Sequence, residues 1–190
     1  QNPYPAYAQA RAMGDLVWWE DYNMPAAMSH RAVRMLLTDR RLGRAAPEGH
    51  EPEQHAHLAA WNTVEANSML ELEPPRHTRL RGLVLRAFTS RRIKELGPEI
   101  EVLCDELIAK MPKDTPFDLI EHYATPLPVI LICRLLGVPE EMADQLLIWS
   151  NDMVAMYQAR RDRAIEDKAA QASQEFSDFI RSYAEQKRAK

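Results

Sequence analysis

A mainly α fold with one small β-hairpin near its N-terminus is what this sequence predicts, on three observations. Apolar residues recur at helical spacing through most of the chain, as at Leu80, Leu83, Val84, Ala87 and Phe88, and again at Ile165, Ala169, Ala172, Phe176, Phe179, Ile180 and Tyr183. Helix punctuation stands where such patterns start and stop, with Ser29 as a cap, Pro98 at a first turn, and Gly137 and Pro139 at an end. Paired strand-forming runs occur once, at residues 16–20 and 24–27, with the turn residues Asp21, Tyr22 and Asn23 between them.

Taken in order, residues 3–12 predict a short amphipathic helix, followed by the hairpin. Ser29 then caps a helix whose apolar face is Ala32, Val33, Leu36 and Leu37. From Gly43 to about Glu65 the composition turns to Gly, Pro, Glu and His, which reads as a long loop. His50, His55 and His57 lie in it without a Cys, Asp or Glu constellation to complete a metal site, so they read as solvated loop histidines. Met69 and Leu70 at its end serve either as the hydrophobic staple of the next helix or as part of a pocket. A helix follows over residues 75–88, then a short one from Thr89 or Ser90, then a longer one from Pro98. Asp114 and Pro116 make a loop before the apolar residues 117–120. Residues 126–136 are apolar on nearly all sides, which predicts a buried helix in a multilayer protein. The Met- and aromatic-rich stretch from Met142 through Met153 to Tyr157 suits a core or a ligand pocket. The last segment is a long amphipathic helix with a solvated charged face.

Composition excludes several classes. The 190 residues are 46% hydrophobic and 27% charged with a formal net charge of −4, which argues against disorder and against a nucleic-acid binder. No run approaches the ~18 apolar residues of a membrane span. Two cysteines, Cys104 and Cys133, fit a reducing cytoplasm and not a disulfide scaffold. Cys104 shares a helical face with Ile100, Leu103, Leu107, Ile108 and Met111, and Cys133 sits in an apolar run, so both read as core residues. The chain opens on Gln1 and stops at Lys190 inside a charged helical pattern with neither a Gly cap nor a Pro stop, which leads to the expectation of a piece of a longer protein.

The most informative stretch is Glu73-Pro74-Pro75-Arg76-His77-Thr78-Arg79-Leu80-Arg81. At 100° per residue, His77 and Arg81 fall inside the apolar arc of Leu80, Leu83, Val84, Ala87 and Phe88, while Arg79 and Arg86 fall opposite. A guanidinium facing a core needs an anion, with His77 one turn away as second donor. That anion is either a buried Asp or Glu of the protein or an external oxyanion.

The segment Leu72–Arg81, with Leu85-Arg86-Ala87-Phe88-Thr89-Ser90-Arg91-Arg92-Ile93 after it, resembles the C-helix signature of the bacterial cytochrome P450 family, the haem-thiolate monooxygenases. Residues 117–120, 126–130 and 133–141 resemble the family's E-helix region in order and spacing, and residues 33–42 are similar to its B helix and following strand. The resemblance implies the N-terminal part of the cytochrome P450 fold, helices A to G. Residues 43–70 would form the B–C loop, 75–88 the C helix and 139–190 the F/G region. It implies haem b, with His77 and Arg81 bonding its propionates and the iron held by a Cys outside this chain. It implies electrons from a ferredoxin-type or flavin redox partner, and oxygen insertion into a small apolar or aromatic substrate. Met69, Leu70 and Met153 would border the substrate. Arg79, Arg86, Arg91 and Arg92 are either the basic patch that meets the redox partner or simply solvated arginines. The oxygen-activating helix, the E-x-x-R helix and the Cys-bearing Gly-rich loop of the family are missing from these 190 residues, so the chain alone is expected to be inactive. The competing expectation is a non-catalytic all-α module that binds an anion or a partner, with internal carboxylates pairing His77 and Arg81.

Overall fold

Caps and breakers place the element boundaries. The computed structural model describes residues 2–46, 48–51, 53–158 and 160–189, with the side chains of residues 87 and 90–92 left out. The chain divides into two units, Gln1–Ala45 and Ala46–Lys190.

The first unit contains helix α1 (Tyr4–Met13), strands β1 (Leu16–Trp19) and β2 (Met24–Ala27), and helix α2 (His30–Thr38). The strands pair antiparallel from Leu16 opposite Ala27 to Trp19 opposite Met24. A 3-10 turn over Glu20–Tyr22 joins them and closes on Asn23 at φ 49°, a left-handed conformation that Asn tolerates better than most residues. Ser29 caps α2 as expected, its Oγ accepting the Ala32 N–H at 3.1 Å. The apolar face predicted for α2 is only partly used. Ala32 is buried, whereas Leu37 is 82% exposed and Val33 is also exposed. Helical spacing identifies a face but cannot say what lies against it.

The second unit contains α3 (Ala59–Glu65), α4 (Arg76–Ala87), α5 (Ser90–Glu95), α6 (Gly97–Lys110), α7 (Pro126–Leu136), α8 (Ala143–Val154) and α9 (Arg163–Arg188). Its organising element is α9, which packs chiefly on α8 and α3. Ala169, Ala172 and Ser173 give α9 a stripe of small, buried side chains, and Leu58 and Met156 pack with Ala169 in one core cluster flanked by Trp61 and Ala170. Trp149 of α8 lies edge-on to Phe176 at 6.2 Å and tilted against Phe179 at 5.7 Å, and its indole N–H donates to Glu175 Oε2 at 2.7 Å. Gly137 ends α7 at φ 67°, where a side chain would be strained. Its N–H and that of Val138 return to the carbonyls of Arg134 and Cys133, satisfying two helix-end acceptors. Arg134 then grips Glu140 through Nε at 2.8 Å, closing the turn into α8.

Two expectations are corrected here. The stretch read as a loop from Gly43 to about Glu65 contains a 3-10 turn at Ala56–Leu58 and then α3. Residues 59–65 contain no Gly or Pro, and Leu58 and Trp61 gain burial against α9, so tertiary packing completes a helix too short to be stable alone. Helix α7, expected to be buried all round, hides only Cys133 completely; Ile132 and Leu136 are more than half exposed. Its neighbours α6 and α8 cover part of its surface.

Candidate functional site

The helix expected over 75–88 forms as α4, entered through Pro75, with the His77 and Arg79 amides donating to the Glu73 and Pro75 carbonyls at 3.0 and 3.1 Å. Arg76 ties its first turn to the preceding segment, Nη2 donating to Asn67 Oδ1 at 3.0 Å. His77 is half-buried and Arg81, one turn on, is exposed. The buried cationic face predicted from spacing is therefore open: Leu83, Val84 and Leu85 are exposed beside it. Among the described residues, no protein acceptor hydrogen bonds or ion-pairs with the His77 ring or the Arg81 guanidinium. The internal carboxylate that the all-α module reading expected beside this pair is not found among the described residues. An imidazole and a guanidinium stand on one face of one helix with no acceptor among the described residues, a donor set suited to one or two carboxylates from a bound group.

The other predicted residues are spread out. Met69 and Leu70 lie in the turn between α3 and α4, at 37% and 63% exposure, and the Leu70 N–H donates to Ser68 Oγ. Met153 is half-buried on the last turn of α8. No recorded bond, ring contact or core cluster among the described residues brings Met153 to Met69 or Leu70. Arg79 and Arg86 are exposed, and Arg86 turns its Nε back to the Gly82 carbonyl at 3.2 Å. Arg91 and Arg92 lie outside the residues whose side chains are described.

Sequence reasoning missed the polar seam between residues 56–65 and 155–166. His57, expected to be a solvated loop histidine, places Nε2 2.8 Å from Glu166 Oε2, and the two side chains are only 22% and 18% exposed. Nearby, the Tyr157 hydroxyl donates to Glu65 Oε1 at 2.8 Å. These partners are 109 and 92 residues apart, so no local spacing signals them. The His57 ring first, and Arg161 Nε at 3.2 Å second, hold the Glu166 carboxyl below the usual carboxylate range against the opposing effect of burial.

A mainly α assembly with one hairpin and an open cationic helix is the class that fold and site define. The curated relatives narrow it further. The chain is 40% identical to the vitamin D(3) 25-hydroxylase of Pseudonocardia autotrophica over 156 residues, 81% of this chain and 38% of that protein. It is 36% identical to the cytochrome P450 monooxygenase PikC of Streptomyces venezuelae over 165 residues, 80% of this chain and 37% of that one. The crystal structure of P450BioI in complex with a hexadec-9Z-enoic acid ligated acyl carrier protein superimposes with a TM-score of 0.89 over 99% of this chain and 49% of that one; at 23% identity this shows the fold alone. No family profile matches. The chain belongs to the bacterial cytochrome P450 family and spans less than half the length of each of these relatives.

Proposed function

We propose that this chain is part of a haem-thiolate monooxygenase and that its own task is to anchor the cofactor and form part of the substrate lid. The observation that carries this reading is the pair His77 and Arg81, an imidazole and a guanidinium on one face of α4 without a protein acceptor among the described residues. Haem b fits that donor set, because its two propionates are carboxylates and the adjoining exposed apolar residues Leu83 and Val84 suit the edge of a flat apolar ring system. When bound, the haem supplies the oxygen activation that inserts one oxygen atom into a small apolar or aromatic substrate. His77 and Arg81 would hydrogen-bond the propionates, Arg81 supplying a positive charge, and so orient the ring.

The iron ligand comes from a Cys outside these residues. Cys133 is fully buried, and burial pushes its thiol up, the reverse of what a thiolate ligand needs. Residues 43–70 and 139–190 form the lid, with Met69, Leu70 and Met153 toward the substrate. Arg79 and Arg86, exposed on the outer side of α4, meet an acidic ferredoxin-type or flavin partner that delivers electrons. No helix among the described residues is long and apolar enough to cross a membrane.

The test is the full-length gene product. Its reduced, carbon monoxide-bound spectrum is expected to carry the red-shifted Soret band of thiolate-ligated haem. Arg81→Ala, and more so His77→Ala with Arg81→Ala, should lower retained haem per protein about tenfold on competition with apomyoglobin, as expected for loss of a charge-assisted bond. A folded full-length product that takes up no haem would overturn the reading.

A further inference from the structure

We infer that residues 56–65 and residues 155–166 are fastened by a two-ended clasp that opens as a single event, both polar ends and the apolar contact between them parting together. It rests on the lid reading for its functional meaning, since these segments would then be two sides of the substrate entrance.

One end is the His57–Glu166 bond at 2.8 Å, with Glu166 also gripped by Arg161. The other is the Tyr157 hydroxyl on Glu65 at 2.8 Å. Between them Leu58 and Met156, at 4% and 3% exposure, pack on Ala169, and Trp61 meets the Tyr157 ring edge-on at 6.5 Å. The apolar middle is what makes the ends interdependent. Neither bond can break by a large movement without uncovering Leu58 and Met156, and once those are uncovered neither bond has a rigid partner. Packed contacts of this kind have discrete arrangements, not a continuum of partly open ones. The seam is also self-bracing. Arg161 Nη1 donates to the Met156 carbonyl at 3.4 Å, linking the 155–157 turn to the carboxylate that His57 holds. Asp162 caps α9 by accepting the Ile165 N–H at 2.9 Å, which positions Glu166 in the first turn. Among the described residues, His55 stacks on His57 at 5.6 Å and Glu53 lies 3.7 Å from His55.

Tyr157→Phe removes one oxygen at one end, and Glu166→Gln removes the charge at the other. Hydrogen–deuterium exchange on full-length protein carrying each change reads the clasp directly, with or without haem. The expected result is that either substitution raises exchange in both 56–65 and 155–166 by a similar factor, about tenfold for Glu166→Gln, with α7 unchanged. Loosening confined to the substituted segment would overturn the clasp. In the haem-loaded protein, Glu166→Gln should also speed association of 4-phenylimidazole several-fold while leaving carbon monoxide association within about twofold. Equal acceleration of both ligands, or of neither, would overturn its role at the entrance. Absence of haem defeats the lid reading alone, because the exchange result still decides the clasp.

Discussion

Two residues, Cys133 and Cys104, show how burial separates chemically identical side chains. Cys133 has no exposed surface, and desolvation, seconded by the nearby Glu140 charge, raises its thiol pKa. Cys104 keeps partial exposure on α6. In native protein at neutral pH, iodoacetamide should label Cys104 and spare Cys133, with both labelled in denaturant; mass spectrometry of the peptides reads the difference. The sequence already marked both as core residues, from helical spacing and an apolar neighbourhood. Which of the two is sealed depends on α6 and α8 arriving beside α7, and one helix pattern contains nothing about its neighbours. The same limit explains His57. Its neighbours along the chain are those of a loop histidine, and only the return of α9 supplies Glu166.

At the scale of elements, the punctuation residues act where they stand. Removing the cap in Asp162→Ala should destabilise the protein by about 1 kcal/mol, read by denaturant unfolding, and loosen the first turn of α9 in hydrogen exchange. That turn carries Glu166, whose pKa is depressed by His57 and Arg161. A depressed carboxyl contributes stability above its ordinary pKa and loses it as pH falls through the lowered value. Protection of residues 56–65 should therefore be full above the ordinary glutamate range, begin to fall as the pH drops through it and be lost by the lowered value, a step that Glu166→Gln removes. The helices at 76–87, 97–110, 126–136 and 163–188 were legible from periodicity and caps. Helix α3 was not, because its seven residues are stabilised by Trp61 and by Leu58 just ahead of it against α9 and not by their own propensity.

At the scale of the second unit, large apolar side chains stay exposed, including Leu83, Val84 and Leu85 on α4, Ile132 and Leu136 on α7, and Leu119 and Ile120 at the start of the π-helical turn Ile120–Ala124. Surfaces of this kind are covered in a stable soluble protein. Purified residues 1–190 are expected to bind a hydrophobic dye strongly and to associate with rising concentration by light scattering, whereas the full-length product should do neither. A monomeric, dye-silent 190-residue chain would mean that these faces need no cover.

What the sequence determined by itself is what is set within a few turns: most of the helices, the Ser29 cap and the Gly137 stop, the hairpin, and the gathering of His77 and Arg81 on one face of α4. Those follow from backbone geometry and from spacing, which act locally. Only the tertiary structure decided that no internal carboxylate meets that pair among the described residues, that a supposed loop carries a helix, and that His57 and Glu65 reach across to Glu166 and Tyr157. Contacts between residues about a hundred positions apart depend on which faces α9 brings together, and that arrangement is a property of the packed chain, not of any segment of it.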